Sequence, residues 1–166
     1  MFAAREPSDI DRFFRGLTEY AFHARLGIVD PALVDYVALL LVRFLRHDAI
    51  VAPPSGSAGA SDVTTMLVAA RDHPPDEALV EYRHIGDYTL FWTGLYPEAV
   101  ERLHASAPIR PVIDFRAAGK QAYWLVSTLE PDEAAEEREL FERLSRDYDL
   151  CADGLAEVRR AWGDAA

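Results

Sequence analysis

The sequence predicts an all-α fold, a single-domain bundle of about six helices, on three observations. Apolar residues recur at spacings of three and four along most of the chain, Gly and Pro signals fall between those stretches, and no stretch alternates apolar with polar at a period of two. At 166 residues the chain matches the size of one domain, residues 1–166, with enough length to shield an apolar core.

The elements follow in order. Ser8 before Asp9, Ile10 and Asp11 predicts an N-cap with acids in the first turn, opening a helix that reaches about Leu26. Phe13, Leu17, Tyr20 and Ala24 are the expected inner face, and Gly27 ends the helix. Asp30-Pro31 starts a second helix, about 31–46, apolar on nearly every side and expected to be the buried centre of the bundle. Residues 47–60 contain Pro-Pro-Ser-Gly-Ser-Ala-Gly-Ala and read as a mobile loop.

Ser61-Asp62 restarts a short helix through Val63, Met66, Leu67 and Ala70 that stops before His73-Pro74-Pro75. A longer helix runs from Asp76 to about Thr93, and Glu98 to Ser106 forms a two-turn stub. Ile113 to Leu129 is the next helix, with Phe115, Gly119, Ala122, Val126 and Leu129 on one side. From Asp132 to about Trp162 a single long helix is expected, its seam being Phe141, Leu144, Tyr148, Cys151, Leu155, Val158 and Trp162. Glu139 with Arg143 and Glu142 with Arg146 would pair on its outside, and Gly154 is its weak point. These last two helices are expected to cover the central one.

Charge bounds the partners. Acidic residues number 28 against 17 basic, a net charge of -11, which repels phosphate backbones. Arg12 with Arg15, Arg43 with Arg46 and Arg159 with Arg160 are scattered pairs without interleaved aromatics, so no nucleic-acid partner is expected. Cys151 is the only cysteine, which rules out an intramolecular disulfide and fits a reducing compartment. The opening residues lack the basic and apolar regions of a secretory signal, so the expected location is cytoplasmic. The apolar run from Ala32 to Leu45 is too short to span a bilayer and is interrupted by Asp35 and Arg43, so no membrane partner is expected.

Chemistry concentrates in His84-Ile85-Gly86-Asp87-Tyr88, where titratable groups stand within one turn of an otherwise apolar helix. The candidate site comprises His84, Asp87, Tyr88, Lys120 and Tyr123, with His84 as a ligand or base. The competing reading makes Gly86 and Gly94 points of close helix approach and Asp87 an acceptor paired to a base such as Lys120. The segment Gly86-Asp87-Tyr88-Thr89-Leu90-Phe91-Trp92-Thr93-Gly94-Leu95-Tyr96-Pro97, with Gly119-Lys120-Gln121-Ala122-Tyr123, resembles that of an uncharacterised bacterial family of small all-helical proteins. Their pattern is Gly-Asp-x-x-Leu-Phe-x-x-Gly-x-x-Pro. That resemblance covers about a quarter of the chain; it implies the helical fold and carries no established activity.

Two Glu-x-x-His tetrads, Glu81 with His84 and Glu101 with His104, have the spacing by which carboxylate bundles hold divalent metals. They flank a Gly-Pro break about twenty residues apart instead of standing on separate long helices, so no cofactor is favoured and solvated faces are the plain alternative. There is no Gly-x-Ser-x-Gly elbow and no phosphate loop, and Cys151 falls within the apolar seam. Trp92, Tyr96, Trp124 and Trp162 are either core or parts of a binding surface. The expected function is a small non-enzymatic helical binding or protein-interaction module, its partner an unidentified protein or a second copy in a homodimer. The alternative is a metal-binding carboxylate/histidine bundle enzyme.

Overall fold

Local signals set the first helix. In the computed structural model, which describes residues 8–46, 56–105 and 114–165, the Ser8 hydroxyl accepts from the Asp11 amide and the Asp11 carboxylate accepts from the Ser8 amide, opening α1 (Asp9–Glu19) with a capping box. The Ser8 backbone N–H holds the Asp11 carboxyl below its usual value. The chain then widens into a π-helical turn, Tyr20–Arg25, and Gly27 ends it at a φ of 67°, a left-handed conformation that glycine adopts without strain.

The expected inner face of this segment is displaced. Phe14, Thr18, Ala21 and Phe22 are buried, whereas Phe13 is 44% and Tyr20 is 52% exposed. Two packing contacts explain this. Phe14 meets Trp162 edge-on at 5.1 Å, and the Phe22 ring occupies the place a side chain at Gly154 would need. Gly154, the expected weak point, is thus what admits the π-turn against the last helix.

Asp30 caps α2 (Pro31–Arg46) by accepting from the Leu33 amide and also receives Arg143 at 2.7 Å. α3 (Gly56–Asp72) begins inside the segment expected as a loop, so 56–60 are helical, while 47–55 lie outside the described residues. α4 (Pro75–Leu95), α5 (Pro97–Ala105), α6 (Phe115–Leu129, capped by Asp114), a short 3-10 turn (Asp132–Ala134), α7 (Ala135–Arg146) and α8 (Tyr148–Ala165) complete the chain. The all-α class stands, with no strand among the described residues, but eight α-helices replace the expected six.

The centre of the bundle is α4, not the 31–46 helix. Every residue from Ile85 to Leu95 is buried, and α4 packs against α2, α3, α5, α6 and α8. α2 is a flanking helix, with Leu39 60% exposed. α4 can sit inside because two of its residues lack side chains. A Cβ at Gly86 would stand 2.5 Å from the Tyr123 ring, and one at Gly94 would stand 2.7 Å from Leu155. Both neighbours therefore approach the α4 backbone directly, giving close interior packing.

The long C-terminal helix is broken at Asp147, with φ -101° and ψ 22°. Its seam survives the break: Phe141, Leu144, Tyr148, Cys151, Leu155 and Val158 are all buried. α7 packs on α6 and α8 packs on α4, so the bend lets one apolar face serve two neighbours. The expected surface pairs do not form. Arg143 turns to Asp30, where partial burial strengthens the attraction, and Arg146 turns to Asp147 at 3.0 Å. No helix among the described residues is long and apolar enough to cross a membrane.

Candidate functional site: the buried Asp87 cluster

Asp87 lies on the central helix with no exposure to solvent. A carboxylate taken out of water is costly unless each charged oxygen finds donors, and three elements supply them here. Because residue 86 is glycine, the Tyr123 ring of α6 lies against α4 and its hydroxyl donates to Asp87 Oδ1 at 2.7 Å. From α2, the Tyr36 hydroxyl donates to the same oxygen at 2.7 Å and the Arg43 guanidinium donates to Oδ2.

A second layer holds Tyr36. Arg83, one turn before Asp87, donates from Nε to the Tyr36 hydroxyl at 3.2 Å. Its guanidinium lies over the rings of Tyr36 and Phe141, 5.5 and 5.7 Å from their centroids, an arrangement suited to cation–π attraction. Phe141 also touches the Tyr36 and Tyr123 rings, so α7 closes the cluster. Beneath it, Tyr148 donates to Thr89 Oγ1 at 3.0 Å, and Thr89 donates to the Ile85 carbonyl at 2.8 Å.

Electrostatics keep the phenols of this cluster protonated. Burial, and then the Asp87 charge, push the Tyr36 and Tyr123 phenols above their usual value, so both remain donors. Burial likewise raises Tyr148. Asp87 receives three hydrogen bonds, with donors on both carboxylate oxygens, and is itself closed off from solvent. The geometry suits a brace that ties α2, α4 and α6 together.

The expected site residues are only partly gathered. Asp87 and Tyr123 meet directly. Tyr88 is buried nearby, with its ring 6.2 Å from that of Phe115. His84 is on the surface, stacked on Phe44 at 6.3 Å. Lys120 is not the partner of Asp87: it donates to Asp149 at 2.6 Å, while Arg43 neutralises Asp87. Tyr123 occupies the side of α6 that faces Asp87, which leaves Lys120 to reach α8. Lys120 and Arg116 together hold the Asp149 carboxyl below its usual value. Sequence reasoning missed Tyr36, Arg43 and Arg83. A signal existed for two of them, since Tyr36 and Arg43 are seven apart on one edge of an apolar helix.

Of the metal candidates, Glu81 is half-buried, and His84, Glu101 and His104 are exposed. Among the described residues no three His, Cys, Asp or Glu side chains form a group that could hold a metal ion. Glu101 and His104 line a cleft of about 190 Å³ with Val100, Asp114, Phe115 and Arg116. Two of its polar groups are committed elsewhere: Asp114 caps α6 and Arg116 donates to Asp149 at 2.8 Å. Cys151 is buried and its thiol is pushed up to about 12, so it remains protonated and unreactive.

Fold and cluster together define an all-α bundle braced from within by a buried carboxylate. Comparison with known proteins adds no closer kinship: no family model, curated protein or solved structure matches the chain.

Proposed function

We propose that this chain is a small non-enzymatic helical module that binds a protein partner in the bacterial cytoplasm. The observation that carries the reading is the closed coordination of Asp87. The most buried charged group in the centre of the fold is committed to Tyr36, Tyr123 and Arg43 and holds helices together. Binding then belongs to the surface, where Ile10 and Phe13 on α1, Tyr20 at the start of the π-turn and Trp124 on α6 stand 44 to 55% exposed. Trp124 and Tyr20 are residue types that supply contact area at low entropic cost.

The test is the hydrodynamic mass of the chain in a clarified extract of the cells that naturally produce it, compared with variants Phe13→Asp and Trp124→Asp. A mass above that of one chain, lost in either folded variant, supports the reading. A single-chain mass in every sample, with stoichiometric metal lost on His84→Ala, overturns it in favour of the metal-binding alternative built on Glu81, His84, Glu101 and His104.

A further inference from the structure

We propose that the outer face of α1 docks on the same face of a second copy, antiparallel, to form a weak two-fold dimer. This deepens the interaction reading above and rests on it, naming the partner for one surface. α1 is apolar on two sides. Its inner side buries Phe14 against Trp162, and its outer side leaves Phe13 44% and Ile10 54% exposed, continued by Tyr20, the helical C-cap that opens the π-turn, at 52%. Phe13, Gly16 and Tyr20 follow one another at spacings of three and four, which places them along a single line on the helix.

Gly16 stands in the middle of that line. Among the described residues a Cβ there would meet nothing within 4 Å, so their packing does not require glycine, and a glycine in a helix interior costs about 0.5–1 kcal/mol relative to alanine. A neighbouring helix crossing at Gly16 gives it a purpose, because the missing side chain lets two backbones approach.

The charges are self-complementary about the same point. Arg12 precedes Gly16 by four residues and Glu19 follows it by three, both on one flank of the line. Both are exposed, and neither is paired among the described residues, whereas their neighbours are: Arg15 meets Asp35, and Asp11 meets Arg46. A two-fold axis near Gly16 sets Arg12 of one copy beside Glu19 of the other, twice, and interleaves Phe13 with Tyr20, as an isologous interface requires. From Asp9 to Tyr20 the segment carries three acids and two bases, close to neutral in a chain of net charge -11, so two copies meet here with little local repulsion.

Eleven helical residues span roughly 16 Å, which makes a small interface and a concentration-dependent dimer. The experiment is sedimentation equilibrium of the purified full chain from about 1 μM to about 1 mM. The wild type is expected to show a monomer–dimer equilibrium. Arg12→Glu weakens it about tenfold, the double variant Arg12→Glu/Glu19→Arg restores it, and Phe13→Asp abolishes it, all with unchanged helical circular dichroism. A folded wild type that stays monomeric throughout, or a dimer insensitive to these substitutions, overturns the proposal. If the purified chain is monomeric while its mass in extract exceeds one chain, self-pairing fails and the interaction-module reading stands. A single-chain mass in both overturns both.

Discussion

The Tyr123 hydroxyl and Asp87 Oδ1 lie 2.7 Å apart between two helices, neither residue having any surface exposure. Replacement of Tyr123 by Phe keeps the ring over Gly86 and removes one donor to a buried charge. Unfolding free energy from urea titration should fall by about 1.5–3 kcal/mol, the range for hydrogen bonds to charged groups.

Among the described residues, Arg43 is the one cation paired with Asp87. Arg43→Met keeps much of the side-chain length and leaves a buried carboxylate held only by two phenols. Because the Arg43 side chain is 46% exposed, water moderates the loss, and the expected destabilisation is about 1–3 kcal/mol. Arg43→Met combined with Asp87→Leu should be less destabilised than the sum of the two single changes, since the second removes the charge that the first strands.

Two glycines in helices should respond with opposite sign. Gly86→Ala drives a methyl into the Tyr123 ring and should cost about 1–3 kcal/mol through displaced packing. Gly16→Ala meets no described residue within 4 Å and should stabilise the monomer by about 0.5–1 kcal/mol in the same assay.

Alkaline conditions should unfold the protein. Burial raises the proton affinity of Tyr36, Tyr123 and Tyr148, and raises that of Cys151 to about 12. Each folded-state group then keeps a proton that the unfolded chain has released. Their contribution is complete below the unfolded values, about 9 for the thiol and 10 for the phenols, and declines above them by about 1.4 kcal/mol per pH unit per group. Stability measured from pH 8 to 11 should fall with steepening slope, and Tyr123→Phe should lessen that slope. A flat profile would deny that these groups are buried.

Much of the fold was legible in local chemistry. The Ser8 and Asp30 caps, the Gly27 stop, the Pro74-Pro75 break and the seam from Phe141 to Val158 all depend on neighbours in sequence, and all reappear in the structure. The centre was misplaced because α2 is the more uniformly apolar helix, whereas α4 buries Gly, Thr, Asp and Tyr through partners far along the chain. Arg43 and Asp87 are 44 residues apart, and no periodicity links them. Periodicity also assigned Phe13 and Tyr20 to the core, since an apolar stripe on α1 does not reveal which of its two sides faces Trp162. Within the candidate site, Asp87 was recognisable as a titratable group in an apolar helix and Tyr123 was named beside it, but their role as mutual partners appears only when Gly86 brings α6 onto α4.

The unfolding free energy of Asp87→Asn tests the brace most directly. A residue whose charge orders Tyr36, Tyr123 and Arg43 should lose about 2–4 kcal/mol on this change, with the helical content of the native state retained. A variant as stable as the wild type, or more stable, would contradict the account, because that is the behaviour of a strained site kept for chemistry at the expense of stability.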